Sequence, residues 1–202
     1  MAGLDQSPEA AARSRLHAVF RSRDLEALGI PRGRLRAWIR RGTAERVGRG
    51  LYRRAAAEPS EHETIAMVAA RVPRAVVCLL TALSVHDIGT QAPSEVWIAI
   101  DRKARKPRLQ GLPVRVVRFS RPLLRYAVET REIQGVPVRI TSPARTVVDC
   151  FRYRNKIGVD VAIEALRDAL GTRRAGVADI LRIAEVGRVR RVIQPYVDAA
   201  VS

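Results

Sequence analysis

The chain has 202 residues, with 37 Lys+Arg against 20 Asp+Glu for a net charge of +17, and 47% of its residues are hydrophobic. That apolar share excludes wholesale disorder, and no apolar run approaches the roughly 20 residues that a bilayer span needs. The charge points to a polyanionic partner rather than a membrane, and all but Lys103, Lys106 and Lys156 of the cations are arginine, whose planar fork binds phosphate bidentately.

The opening stretch MAGLDQSPEAAARSRL is acidic and alanine-rich, unlike a secretory leader, so a cytoplasmic protein is expected. A first helix is predicted from Pro8 to Phe20, with Leu16, Val19 and Phe20 on one face. Ser22 is placed to N-cap a short second helix that carries Asp24 in its first turn and stops at Gly29. In IPRGRLRAWIRRG, Pro31 suits the first turn of a third helix and Gly42 its left-handed C-terminal position. AERVGRGLYRR then reads as two short strands about Gly48-Arg49-Gly50, a hairpin. Residues 1–55 hold 13 arginines and five acids, net +8, so positive charge is concentrated at the front.

The third helix gains meaning from its angular layout at about 100° per residue. Leu35, Trp38 and Ile39 form a stripe expected to be buried, while Gly33 and Ala37 fall on the opposite face with Arg34, Arg36, Arg40 and Arg41 flanking them. Small residues let a helix approach a groove closely, and arginines beside them reach guanine edges or phosphates. With Arg46, Arg49, Tyr52, Arg53 and Arg54 on the hairpin, the order of elements reads as a winged helix-turn-helix.

Past RRAAAEPSEHE, near residues 55–60, the pattern changes. HETIAMVAARV and CLLTALSVHDIG are predicted helices, the second ending at Gly89. Residues 95–101, 113–119, 127–134 and 136–142 are predicted strands, the last two joined across Gly135. SPARTVVDCFRY opens with Ser142 as N-cap and Pro143 in the first turn. Ala144, Val147, Val148 and Phe151 follow the helical rule, and three more stretches repeat it up to Tyr196. The fold class is therefore α+β: a winged helix-turn-helix over residues 1–56, then a mixed α+β domain over 57–202 with a small sheet and several C-terminal helices.

Several patterns here invite other chemistry. Asp101-Arg102-Lys103 at a strand end, with Asp87 upstream, is the sparse outline of a metal-dependent nuclease, held as the enzymatic alternative. Glu95, six residues before Asp101 on one strand, would stand about 20 Å away, too far to share a metal. Arg145 and Asp149, one turn apart, read as an i, i+4 pair on a helix surface worth a few tenths of a kcal/mol, with a ligand-facing pair as the alternative. Ser84 and His86 do not face each other on a helix, and Trp97 reads as core. Cys78 and Cys150 sit in apolar runs, and His17, His62 and His86 are scattered. No disulfide framework, metal site, cofactor or catalytic residue is therefore expected. Residues 102–125 hold nine cations, among them Arg102, Lys103, Arg105, Lys106 and Arg108, and no acid. They read either as a second phosphate-contacting surface, for DNA or RNA, or as a solvated face.

The stretch RDLEALGIPRGRLRAWIRRGTAERVGRGLYRR, with TALSVHDIGTQAPSEVWIAI and ITSPARTVVDCFRYRNKIGVDVAIEALRDAL, resembles the AbiEi antitoxins of type IV abortive-infection toxin–antitoxin systems. The resemblance runs from about residue 15 to the C-terminus, and SPARTVVDCFRYRNKIG is its most specific piece. It implies an N-terminal winged helix that binds inverted repeats in the operon's own promoter and represses it. It also implies a C-terminal domain that neutralises a nucleotidyltransferase-type toxin without a stable complex. Carried onto this chain, it assigns DNA contact to Arg32, Arg34, Arg36, Arg40, Arg41, Arg46, Arg49 and Arg53, and antitoxin activity to the region beyond about residue 60. A stand-alone transcription factor without a toxin is the remaining alternative.

Overall fold

The computed structural model describes residues 15–48, 50–55 and 61–201. It divides into two compact units, one of Met1–Arg71 with Glu132–Val138 and one of Val72–Arg131 with Arg139–Ser202.

The first unit begins with a correction. Val19–Arg21 is a strand, β1, where the sequence predicts the end of a helix; the earlier part of that prediction, residues 8–14, lies outside the described residues. Three residues carry no measurable period, and Val19 and Phe20, on opposite faces of the strand, are both fully buried. β1 pairs antiparallel with β3 (Leu51–Arg54), which pairs in turn with β2 (Ala44–Gly48), giving the order β1-β3-β2. The register shifts between Arg46 and Gly48, a bulge that bends the hairpin.

Two helices lie between β1 and β2: α1 (Ser22–Ala27) and α2 (Gly33–Arg40). Ser22 is not the N-cap but the first helical residue. The free amide at the helix entrance, that of Arg21, donates to the Asp24 carboxylate at 2.6 Å. Both helices stop as the glycines predict. Gly29 and Gly42 are left-handed, and the amides beyond them, Ile30 and Thr43, return to the carbonyls of Leu25 and Trp38. Phe20, Leu25, Ile30, Leu35, Trp38 and Ala44 make the core of this unit, with Tyr52 packed on its margin.

Helix α3 (Glu61–Arg71) belongs to the same unit and clamps the hairpin. The nearly buried Glu63 accepts from Arg53 of β3 at 3.1 Å, and Arg71 donates to the carbonyl of Val47 at the bulge.

The larger sheet is mixed, of order β6-β5-β4-β8-β7. Its strands are β4 (Val76–Val77), β5 (Val96–Asp101), β6 (Val114–Phe119), β7 (Val128–Ile133) and β8 (Val136–Thr141). β5 runs parallel to β6 and antiparallel to β4, which is parallel to β8. Gln134 and Gly135, both at positive φ, form the turn of the β7–β8 hairpin. The two-residue β4, invisible to periodicity, is the strand that joins the pairs into one sheet.

Helix α4 (Leu79–Val85) ends before Gly89, with Asp87 already left-handed. Five helices follow the sheet, because a single turn, α6 (Arg154–Ile157), stands between α5 (Pro143–Arg152) and α7 (Val159–Gly171). α8 (Val177–Val186) and α9 (Arg190–Val201) complete the second unit. Ser142 caps α5 as expected, its hydroxyl accepting from the Arg145 amide. The amphipathic pattern of α5 understates its burial, since every residue from Ala144 to Phe151 is buried. Arg145 and Asp149 are therefore not a surface pair. Asp149 accepts from Arg145 Nε at 2.9 Å, and Arg145 Nη1 donates to the carbonyls of Leu123 and Tyr126 beneath the Phe119 ring. Burial pushes the Asp149 carboxyl above the usual carboxylate range, with Arg145 pulling it back. Trp97 is core, as read from the sequence.

Candidate nucleic-acid interface

Helix α2 buries a narrow stripe and exposes the rest. Leu35 and Trp38 are 5% and 1% exposed, but Ile39, expected to join them, is 40% exposed. Leu35 and Trp38 are the two side chains of this helix in the core, Trp38 edge-on to Phe20 at 6.5 Å between ring centroids. The opposite face is open. Gly33 is exposed, and a Cβ built on it would meet nothing within 4 Å. Ala37 is half-buried, and Arg32, Arg34, Arg36, Arg40 and Arg41 are exposed around them.

These arginines are not equivalent. Arg32 is held by Glu26 of α1, Nη2 donating to Oε2 at 3.0 Å. Arg36, Arg40 and Arg41 have no ion pair tying their guanidinium groups to other described residues, so their charge is presented to solvent. A bare guanidinium on a rigid helix has lost little freedom before a phosphate or base edge arrives, and it has no partner to leave.

The hairpin divides in the same way. Arg46 is exposed, with Nε donating to the Gly48 carbonyl at 3.2 Å, which arches the side chain over the turn. Arg53 lies between two carboxylates, Glu45 at 2.9 Å and Glu63 at 3.1 Å, and braces the hairpin against α3. Tyr52 stacks on Phe20 with ring centroids 5.9 Å apart, so its ring is spent on the core margin. Arg49 lies outside the described residues. Arg71, to which the sequence analysis gives no role, shapes this surface by holding the bulge.

Arg102, Lys103, Arg105, Lys106 and Arg108 are all exposed on the loop after β5. Arg118 of β6 fixes that loop, its Nη1 donating to the carbonyls of Asp101, Arg102 and Ala104 at 3.2, 2.8 and 2.9 Å. The Asp101 carboxylate accepts from the Lys103 amide at 2.8 Å and from Arg121 Nε at 3.2 Å. These contacts, the amide first, hold its carboxyl below the usual range. Glu95, at the other end of β5, pairs with Arg115 at 2.8 Å. No group of three or more His, Cys, Asp or Glu side chains among the described residues is placed to hold a metal. His86, fully buried, donates through Nε2 to the Thr141 carbonyl at 2.6 Å, and burial lowers its pKa. No helix among the described residues is long and apolar enough to cross a membrane.

A small helical module with an outward cationic face, followed by a mixed α+β unit, is the class of protein these observations define. Residues 9–55 match the family model described as the AbiEi antitoxin transcriptional regulator, so the resemblance carried by the sequence is shown over this stretch. No curated protein matches the chain. The crystal structure of the RV2827C protein from Mycobacterium tuberculosis is similar in fold, with a TM-score of 0.57, 16% identity, and a match covering 88% of this chain and 69% of that one.

Proposed function

We propose that this chain is a sequence-specific DNA-binding repressor of its own promoter and the antitoxin of a type IV system, countering a nucleotidyltransferase-type toxin without a stable complex. The observation that carries the DNA reading is the strip of exposed Gly33 and half-buried Ala37 flanked by the exposed Arg36 and Arg40. The order β1-α1-α2-β2-β3, with a three-stranded sheet behind α2, supports reading residues 1–56 as a winged helix whose second described helix enters the major groove. In that docking Arg34, Arg36 and Arg40 face base edges, Arg41 and Arg32 face phosphates, and Arg46 and Arg49 reach the sugar–phosphate backbone beside the groove. Arg53 and Tyr52 act in the fold, holding the wing that the others use. Residues 57–202 carry the antitoxin role, which is exerted by binding and involves no catalysis by this chain.

The test is promoter binding by the full chain. Replacing Arg36 and Arg40 by Ala should cost about 1–3 kcal/mol for each base-reading contact, with folding unchanged because both side chains stand in solvent. An unchanged affinity for an inverted-repeat promoter fragment in a gel-shift titration would overturn the assignment of α2. Expression beside the neighbouring gene tests the antitoxin role: toxicity relieved by the full chain supports it, and a neighbour without toxicity removes it.

A further inference from the structure

The second basic surface is concave. Within the Val72–Arg131 and Arg139–Ser202 unit a cleft of about 880 Å3 opens where β5 and β6 end. Loops beyond the carboxyl ends of parallel strands are where open sheets place their ligands, and both the 102–107 and 121–125 segments lie at this cleft. Six cationic side chains line it, Arg74, Lys103, Arg105, Arg121, Arg125 and Arg139, against one carboxylate, Asp101. That carboxylate is already occupied by Arg121 and the Lys103 amide. Beneath the charges lies an apolar floor of Ala75, Ile100 and Leu124.

Like charges gathered this closely repel one another, so the wall must be held in place. Arg139 does this from one side, donating to the carbonyls of Arg74 at 2.9 Å and Leu124 at 2.6 Å. Arg118 does it from the other through the three carbonyls of the 101–104 turn. Two arginines are thus spent on shape, and Arg74, Lys103, Arg105 and Arg125 remain exposed at the mouth.

We propose that this cleft binds a nucleotide unit, its phosphates among the arginines and Lys103 and its base over the apolar floor. The volume lies within the range of small-ligand sites. A duplex offers its phosphates on a convex rail and suits a flat or protruding surface such as α2. A cleft with an apolar floor and a cationic rim suits a group that is part flat ring and part polyanion. No aromatic ring is among the described residues that line the cleft, so discrimination among bases is weak and affinity rises with phosphate number. The unit is either a free nucleotide or the unpaired end of a strand, which share this chemistry.

The experiment titrates the full chain with a fluorescent nucleoside triphosphate and follows anisotropy. Saturable one-to-one binding is expected, weakened at least tenfold by Lys103→Ala with Arg125→Ala. It should be unaltered by Arg167→Ala with Arg191→Ala, which removes the same charge from exposed positions elsewhere. Equal weakening by the two pairs would mean attraction by net charge alone and would overturn the proposal. So would tripolyphosphate binding as tightly as the nucleoside triphosphate, since the apolar floor would then be unused. Displacement of the probe by unlabelled nucleotide, or by a short single strand, supports the site and identifies the source; displacement by neither overturns it. The Arg36→Ala, Arg40→Ala chain should keep this binding, so failure of promoter recognition and failure of the cleft are read separately.

Discussion

Helices α2 and α5 both carry arginines on short, capped segments, and they use them in opposite ways. In α2 the guanidinium groups of Arg36 and Arg40 stand in solvent beside a glycine with open space where a Cβ would go. In α5 Arg145 is 0% exposed, bonded to Asp149 and two carbonyls, with Phe119 against its face. The difference is set by what surrounds each helix. α2 has a sheet and a small core on one side only, whereas α5 is enclosed by the sheet and by α4, α7 and α8. An arginine without partners on an open face is available to an outside anion. One bonded inside the fold through Nε and Nη1 is a structural pin, and removing its carboxylate partner leaves a charge that water cannot reach.

That contrast predicts the largest effect. Asp149→Ala should destabilise the second unit by about 3–5 kcal/mol in urea denaturation, because Arg145 keeps its charge in a buried site. Arg145→Met combined with Asp149→Leu should recover part of the loss by removing the unpaired charge, while the carbonyls of Leu123 and Tyr126 lose their donor. A loss below about 1 kcal/mol for Asp149→Ala would place the pair with ordinary surface ion pairs and dissolve the distinction from α2.

Glu63 tests the middle ground, where a basic surface residue has been drawn into the fold. Its carboxylate is 4% exposed and braces Arg53 from α3. Glu63→Ala should cost about 1–3 kcal/mol in stability by leaving Arg53 short of a partner in a partly buried place. Promoter affinity should fall in step with the loss of the hairpin's position. Unaltered stability together with weakened DNA binding would instead make Arg53 a direct DNA contact.

Much of this contrast was written in local sequence rules, and the rest was not. Ser142, Gly29, Gly42 and Gly135 announced their caps and turns because each acts through bonds within a few residues of itself. The outward strip of Gly33 and Ala37 followed from helical period alone. β1 and β4 are too short to show a period, and their existence depends on strands distant in sequence. Ile39 was lost to the stripe because the width of a core is a tertiary quantity. Arg145 looked like surface because charge ordinarily marks solvent, and only the packing of three helices around α5 reverses that. The cleft could be read only as a run of cations at 102–125. Arg74 and Arg139, which complete it, come from elsewhere in the chain and meet it through the sheet.

Gly33→Ala gives the smallest effect and the sharpest use of the comparison. Gly33 opens α2 at an ordinary φ with empty space where a Cβ would go, so the substitution should stabilise the N-terminal unit by up to about 1 kcal/mol through helix propensity. Stability and recognition then part company. A methyl group on the face that approaches the groove should leave promoter affinity within a few-fold, while the bulkier Gly33→Leu should lower it much further by holding the helix away from the bases. If Gly33→Leu binds promoter DNA as well as the parent chain, the strip does not meet the duplex, and the open face of α2 is solvent-facing for the same bland reason as any other helix surface.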